Sequence, residues 1–188
     1  MDEKPDFWVV TMDLPKRKQI RLKEYDYSTD GAYFVTVCTK DKKHLFWDEE
    51  KMRLKKTNRV GADIIRPEDI NLSRTGEIVK EAIENIPIKY ENVTLDSFVI
   101  MPNHIHIIIF IEKANNGRMI YSKEHTSAPT RSVIIGQMKR YASKTAGFGI
   151  WQKSFYDHII RNYRDYEEKQ NYILSNPYKW GEDEYYSQ

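Results

Sequence analysis

The pattern of hydrophobic and polar positions predicts four β-strands. The strongest signal is the apolar run from Ile105 to Ile111, whose β-branched residues are typical of a buried strand. A strand of similar composition is predicted over residues 32–39, directly after Gly31. The stretch from Val93 to Met101 is apolar at a period of two, which predicts a third strand. A fourth short strand or extended segment is predicted from Phe155 to Arg161.

Two stretches between these strands carry a helical period instead. From Ser73 to Pro87 the apolar residues fall on one face, and either Ser73 or Thr75 can cap the start of the helix. Pro87 is expected to end it, because proline cannot continue the backbone hydrogen bonding. A second helix is predicted from Ser132 to Thr145, where apolar residues again form one stripe.

A third helix is predicted near the end of the chain. Asn162 is a favourable N-cap, and Asp165 lies three residues later, as in a capping box. The helix should end at Asn176, because the residue before Pro177 disfavours helical geometry.

The order of these elements is strand, helix, strand, strand, helix, strand, and then the last helix. It predicts an α+β fold with a ferredoxin-like split βαβ antiparallel sheet, two helices on one face, and the first and third strands at its centre. A single domain would span residues 31–180. Around and within it we expect an N-terminal arm at 1–30, insertions at 40–73 and 113–130, and an acidic tail at 181–188.

Two histidines stand at the start of the strongest strand. Pro102 and Asn103 form a predicted tight turn, which would join the preceding strand to this one as a hairpin. His104 and His106 then point to the same face of the sheet, while Ile105 points into the core. Such a pair can hold a metal ion or contact a phosphate, or it can simply be two polar residues at the wet end of a strand.

Composition and charge narrow the class of protein. Of the 188 residues, 40% are hydrophobic and 31% are charged, so a soluble globular protein is expected. No apolar run approaches the ~20 residues of a membrane span, no signal peptide is recognisable, and a cytoplasmic location is expected. The single cysteine, Cys38, excludes an internal disulfide and a cysteine-based zinc site, and is interpreted as a small buried residue.

The net charge is only +2, but the basic residues are clustered. Runs that lack acids occur at residues 16–23 and 51–59, and further basic residues lie between Arg131 and Lys144. The chain also has 13 Tyr, 7 Phe and 4 Trp. Cations beside aromatic rings suit single-stranded nucleic acid, although the same runs can be ordinary solvated surface.

The predicted last helix adds two candidates for chemistry. Tyr172 and Asn176 are four residues apart and therefore share a helical face. If that face packs over the histidine pair, the two imidazoles and the amide oxygen can share Mg²⁺ or Mn²⁺, and the phenol is placed to attack a phosphate. Tyr172 can equally be one of many tyrosines that edge a hydrophobic core.

Taken together, five segments resemble the IS200-like tyrosine transposases, and most of all their REP-associated branch. The matching segments, in family order, are Arg21–Ser28 (RLKEYDYS), Gly31–Thr39 (GAYFVTVCT), Phe98–His106 (FVIMPNHIH), Ile150–Arg161 (IWQKSFYDHIIR) and Asn171–Pro177 (NYILSNP). Each segment is weak alone, but the combination is specific. The insertions at 40–73 and 113–130 depart from the family pattern, which leaves the DNA specificity open.

The resemblance implies a metal-dependent enzyme that cleaves and rejoins single-stranded DNA. His104, His106 and Asn176 would be the metal ligands, with Mg²⁺ or Mn²⁺ as the ion. Tyr172 would be the nucleophile that forms a 5′-phosphotyrosine link and releases a 3′-hydroxyl. Single-stranded or hairpin DNA would be the partner, and the REP-associated branch favours a monomer over a dimer with shared sites.

Several residues are weaker candidates for holding DNA. They are Arg21, Lys23, Lys139, Arg140, His158 and Arg161. Each can also be an ordinary surface or structural residue. A non-catalytic hairpin-binding module on the same fold remains the alternative function. A phosphodiesterase acting through histidine alone is less favoured, because only one His-x-His motif occurs.

Overall fold

A computed structural model describes residues 31–52, 70–112 and 130–186 of the chain. Its strands are β1 (Gly31–Cys38), β2 (Val93–Ile100), β3 (His104–Ile111) and β4 (Tyr156–Ile160). Its helices are α1 (Arg74–Lys89), α2 (Arg131–Ala146) and α3 (Tyr163–Ser175), and a 3₁₀ segment follows at Asn176–Glu182. In the part described, no helix combines the length and apolar character needed to span a membrane.

The four strands form one antiparallel sheet in the order β2-β3-β1-β4. This confirms the predicted α+β architecture, including the central position of the first and third strands. In the register between β3 and β1, His106 lies opposite Thr36 and His104 lies opposite Cys38. The histidine pair therefore sits on a central strand rather than at an edge of the sheet.

Different helices pack against the two faces of the sheet. Ile105, Ile107 and Ile109 are fully buried on one face. Helices α1 and α2 pack against each other there, and Arg131 at the start of α2 pairs with Asp157, which projects from the same face. Helix α3 contacts β2 and β3, and its ring contacts with Phe34 and Phe110 place it on the histidine face.

Helix α1 differs from the prediction at its end. Pro87 does not terminate it, because the helix continues to Lys89 and the N–H of Tyr90 still donates to Ile86. Ile83 and Ile86 are buried in the core. This packing holds the last turn in place despite the hydrogen bond that proline cannot make.

Strand β2 is not a continuous strand of period two. A register shift lies between Leu95 and Ser97, and Asp96 bulges out of the ladder. A bulge reverses which face the following side chains meet. Val93 and Val99 therefore lie on opposite faces, and the single apolar face expected for this strand is wrong. Cys38, expected to be buried, is only partly buried.

The described ends of the 40–73 insertion are tied to the hairpin that carries the histidines. The backbone N–H groups of Leu45 and Phe46 both donate to the carbonyl of Pro102. The indole of Trp47 donates to the carbonyl of Ile100 at 2.7 Å. Phe46 and Trp47 are buried, so these ends belong to the core. The predicted arm at 1–30, with Arg21 and Lys23, lies outside the described residues, and so does the predicted insertion at 113–130 except for Thr130.

Gly76 provides a test of this close packing. A Cβ atom at this position would overlap the carbonyl oxygen of Phe46. Gly76→Ala should lower the free energy of unfolding by about 1–3 kcal/mol, the usual cost of overpacking. Gly136→Ala is the matched control, because nothing lies within 4 Å of its Cβ in helix α2. It should raise stability by up to about 1 kcal/mol through helix propensity. Urea unfolding measures both, and equal effects would contradict the packing described here.

Candidate active site

The two imidazoles of the histidine pair converge on each other. The Nε2 atoms of His104 and His106 are 2.9 Å apart, and both side chains are almost completely buried. Two ligand atoms that each lie about 2.1 Å from an ion, at right angles to each other, are about 3 Å apart. The separation therefore suits two neighbouring ligands of one metal ion.

Asn103 fixes the tautomer of His104. Its side-chain N–H₂ group donates to the backbone carbonyls of Tyr185 at 2.8 Å and Lys42 at 3.3 Å, so its Oδ1 faces His104. An amide oxygen only accepts hydrogen bonds, so Nδ1 of His104 must be the donor over their 2.8 Å separation. Nε2 of His104 then carries a free lone pair, which is the form that binds metal.

The hydrogen-bond partner of His106 does not fix its tautomer. Its Nδ1 lies 2.8 Å from the hydroxyl of Thr36, which can either donate or accept. Its ring also stacks on Phe34, with centroids 5.1 Å apart. His106 can therefore keep its ring position while its proton moves from Nε2 to Nδ1, which frees Nε2 as a ligand.

Helix α3 brings Tyr172 to the same place. The Tyr172 ring lies edge-on to His106, with centroids 5.0 Å apart, and it also contacts Phe34. Asn176 follows one turn later at the end of the helix and is 2% exposed. Neither polar atom of its side chain has a hydrogen-bond partner of good geometry within the described residues, although the amide lies near enough to the Tyr172 hydroxyl to lower the pKa of Tyr172. A buried amide that is poorly paired is costly, so this group is suited to a ligand.

The site also contains Asp183, which the sequence did not indicate. Its Oδ2 lies 4.0 Å from Nε2 of His104 and 3.4 Å from the hydroxyl of Tyr172, which donates to it. The backbone N–H of Tyr185 donates to its other oxygen. With His104 and His106 it forms a cluster whose ligand atoms all lie within 4.8 Å of one another.

The donor set fits a divalent metal ion. It offers two imidazoles, one carboxylate and the poorly paired amide of Asn176, a mixture of nitrogen and oxygen ligands that suits Mn²⁺ and also Mg²⁺. Among the described residues, no lysine or arginine is paired with Asp183. A cation at this place would therefore balance a carboxylate whose direct contacts, His104, Tyr172 and the backbone of Tyr185, are neutral.

Burial sets the protonation of these groups. It lowers the pKa of His104 to about 3, helped by the charge of Lys42. It also takes the pKa of His106 well below its ordinary value. Burial, together with the charges of Asp183 and Glu184, raises the pKa of Tyr172 to about 12, although the Asn176 amide opposes the shift. Both imidazoles are thus neutral at pH 7 and the phenol keeps its proton.

His106, Tyr172, Asn176 and Asp183 line one open pocket of about 690 Å³, and His104 adjoins it through His106. Its wall comes from β1, β3, β4, α3, the 3₁₀ segment and the three residues that follow it. Beyond the groups already named, the lining includes Tyr156, Lys169, Lys179, Glu182 and Glu184. The volume accommodates a nucleotide-sized ligand beside Tyr172.

Two of the weaker DNA-binding candidates lie elsewhere. Lys139 is half-buried, and its ammonium donates to three successive backbone carbonyls, of Gln152, Lys153 and Ser154, at 2.7–3.4 Å. These contacts use all three of its donors, so its role here is to clamp a loop. Arg140 is exposed on α2, which lies across the sheet from the pocket.

His158 and Arg161 are near the start of α3. His158 donates to the carboxylate of Asp165 at 2.9 Å, and the backbone N–H of Arg161 donates to the same group. Burial works to raise the pKa of Asp165, but these hydrogen bonds outweigh it and leave the pKa below its ordinary value. His158 thereby joins β4 to the helix that carries Tyr172, and its role in holding DNA stays a prediction.

Sequence reasoning missed three groups at this site. Asp183 was assigned to an acidic tail, and nothing in the local pattern shows that the chain returns to the histidines. Asn103 was assigned to a turn, although its place directly before His104 was a usable signal. Thr36 could have been found from the strand register, because it lies opposite His106.

Comparisons with known proteins fit this geometry. No family model matches the chain. A Haemophilus influenzae protein of uncharacterized function is 35% identical over 183 residues, which cover 90% of this chain and 93% of the relative. A second protein from that organism, provisionally named a REP-associated tyrosine transposase, is 25% identical over 83% of this chain and 75% of its own length.

Two further relatives carry the same designation. An Escherichia coli REP-associated tyrosine transposase is 28% identical over 87 residues, which are 46% of each chain. A solved structure of a REP-associated tyrosine transposase bound to a REP hairpin superposes with a TM-score of 0.51 at 21% identity. The superposition covers 85% of this chain and 75% of the other, and it shows a shared fold.

The fold and the named relatives agree with the resemblance to tyrosine transposases, a class of DNA-processing enzyme. Within that class, the chain is similar to the REP-associated tyrosine transposases.

The buried histidines predict a loss of stability in acid. Because the pKa of His104 is about 3 in the folded protein and about 6.5 in an unfolded chain, only the unfolded state binds its proton between these values. Stability is then full above pH 6.5 and falls as the pH drops below it. For His104 alone the loss between pH 7 and pH 5 should be about 2 kcal/mol.

Urea unfolding in the presence of a chelator at both pH values measures this loss. His104→Asn should reduce the difference between the two pH values. An undiminished difference in that variant would show that other groups cause the acid sensitivity.

Proposed function

We propose that the chain cleaves and rejoins single-stranded DNA in a metal-dependent reaction through a 5′-phosphotyrosine intermediate on Tyr172. The observation that carries the proposal is that Tyr172 and His106 line one pocket with their ring centroids 5.0 Å apart, while Nε2 of His104 lies 2.9 Å from Nε2 of His106. A nucleophile beside a prospective metal site is the arrangement that phosphoryl transfer by a weakly acidic phenol requires.

The reaction exchanges one phosphoester for another. The Tyr172 oxygen attacks phosphorus, the phosphorus–O3′ bond breaks, and the leaving O3′ takes a proton while the phenol loses one. When bound, a divalent ion supplies positive charge that stabilises the phosphoryl oxygens and favours the phenolate. His104 and His106 would hold it through Nε2, and helix α3 holds Tyr172 against the pocket. Attack by a 3′-hydroxyl on the phosphotyrosine reverses the exchange and rejoins DNA.

Two oxygen ligands are available to complete the metal site. The resemblance to the family favours Asn176, and its poorly paired buried amide supports that role. Asp183 is supported by its distance of 4.0 Å from His104 and by its charge. We propose that both contribute, with Mn²⁺ or Mg²⁺ as the ion.

The proposed substrate is hairpin DNA with single-stranded flanks. The relative of known structure is bound to a REP hairpin, and the basic runs of this chain suit a phosphate backbone. Arg21, Lys23, Arg140, His158 and Arg161 are proposed to hold it, with Lys139 supporting the loop that follows α2. We propose that the single domain predicted at 31–180 extends to Tyr185, whose carbonyl accepts from Asn103. We propose that it acts as a monomer, with Tyr172 serving its own subunit.

The covalent intermediate can be tested directly. Wild-type protein mixed with synthetic hairpin DNA and Mn²⁺ should give a protein–DNA adduct on a denaturing gel. Tyr172→Phe should abolish the adduct, because it removes the attacking oxygen. Tyr163→Phe is the matched control, since Tyr163 is an exposed tyrosine on the same helix. Hairpin binding without an adduct, unaffected by Tyr172→Phe, would support the non-catalytic binding module instead.

The metal ligands can be separated by Mn²⁺ affinity, measured calorimetrically without DNA. His106→Ala should remove detectable binding, because it deletes one of two convergent nitrogens. Asn176→Ala and Asp183→Asn should each weaken binding by about 10- to 100-fold if both side chains coordinate. Asn92→Ala is the control, because its amide donates to a backbone carbonyl at the exposed edge of the sheet. An unchanged affinity in either ligand variant would remove that residue from the proposed set.

A further inference from the structure

The pocket contains a cation that the proposed reaction has not yet used. Lys169 lies on α3 three residues before Tyr172, so the two side chains occupy the same helical face. Both line the pocket. Lys169 is half-buried, and among the described residues it forms no ion pair with a carboxylate.

Phe34 defines where the charge of Lys169 sits. The Lys169 ammonium lies 5.5 Å from the centroid of the Phe34 ring. The same ring stacks on His106 and contacts Tyr172 edge-on. Lys169, His106 and Tyr172 are therefore arranged around one aromatic ring, which supports the stem of the lysine and directs its charge into the pocket.

The other lysines near the pocket are less well placed. Lys42 is directed at the ring of Tyr185, 5.6 Å from its centroid. Lys179 lines the pocket but is exposed, and it lies in the 3₁₀ segment after the helix. Of the two lysines that line the pocket in the described part of the chain, Lys169 is half-buried and Lys179 is exposed.

The remaining charges of the pocket make a cation here necessary for an anionic substrate. Glu182, Asp183 and Glu184 also line the pocket. A phosphodiester approaching Tyr172 would be repelled by these acids unless positive charge lies nearby. Hydrogen bonds from an ammonium to phosphate oxygens are strong because both groups are charged.

We propose that Lys169 is a further catalytic residue, which contacts a non-bridging oxygen of the phosphodiester that Tyr172 attacks. This inference rests on the proposed strand-transfer function. It assigns Lys169 to the scissile phosphate rather than to the hairpin. The contact stabilises the negative charge on the phosphoryl group beside Tyr172 and His106.

Single-turnover rates of adduct formation at saturating DNA and Mn²⁺ test the assignment. Lys169→Met keeps the length of the side chain without its charge, and it should slow adduct formation by about 10- to 100-fold. Lys169→Arg should recover most of the rate. Lys80→Met is the matched control, because Lys80 is exposed on α1, across the sheet from the pocket. It should react at the wild-type rate.

A binding measurement separates contact with the phosphate from a structural role. In a Tyr172→Phe background, Lys169→Met should weaken binding of DNA that spans the mapped cleavage position by about 3- to 10-fold. It should leave unchanged the binding of hairpin DNA that ends before that phosphate. A purely structural lysine would affect both DNAs or neither.

The outcomes distinguish a failure of the role assigned to Lys169 from a failure of the proposed strand-transfer function. If the wild-type protein forms an adduct and Lys169→Met forms it equally fast, the role of Lys169 is wrong and the strand-transfer function stands. Equal loss of affinity for both DNAs would also overturn it, in favour of a structural role. If the wild-type protein forms no adduct with any hairpin, both this inference and the proposed function fail.

Discussion

The convergence of two imidazoles on a central strand is the constraint on which the rest of the site depends. Alternation along β3 places His104 and His106 on one face, and the turn at Pro102–Asn103 supplies the amide that orients His104. Thr36 on the neighbouring strand holds His106. Because β3 pairs with β1 on one side and β2 on the other, the backbone positions of both histidines are fixed by the sheet. Burial at the centre of the sheet removes solvent from both rings, which keeps them neutral and leaves their lone pairs available.

The second constraint is the position of helix α3, which must hold Tyr172 against the histidine face of the sheet. Its start is anchored by the Asn162 cap and by Asp165, which accepts from His158 of β4. Tyr166 donates to Asp96, the residue that bulges from β2. Its end is buried at Ile173 and Asn176. The helix is thus tied to β4, β2 and the core, and Tyr172 is positioned by contacts that lie outside the pocket.

Much of this arrangement could be predicted from the sequence, because it follows from local periodicity. The period of two in β3 gives the face of the histidines, and the period of 3.6 gives the shared face of Tyr172 and Asn176. What local pattern cannot give is how the chain meets itself in space. Asp183 reaches the histidines only because the 3₁₀ segment turns the chain back. The loop clamp of Lys139 and the helical geometry at Pro87 depend on packing against distant residues, and so does the change of face in β2.

The electrostatics of the pocket connect these observations. The imidazoles carry no charge, while burial, together with the charges of Asp183 and Glu184, raises the pKa of Tyr172 to about 12. In this state the phenol donates its proton toward Asp183 and is a poor nucleophile. A cation between the histidines and Asp183 would neutralise the carboxylate and draw the phenol toward its ionised form. The same acids that suppress the nucleophile are therefore the groups that attract the ion proposed to activate it. Lys169, beside Phe34 in the same pocket, would offset the negative charge of an incoming phosphate.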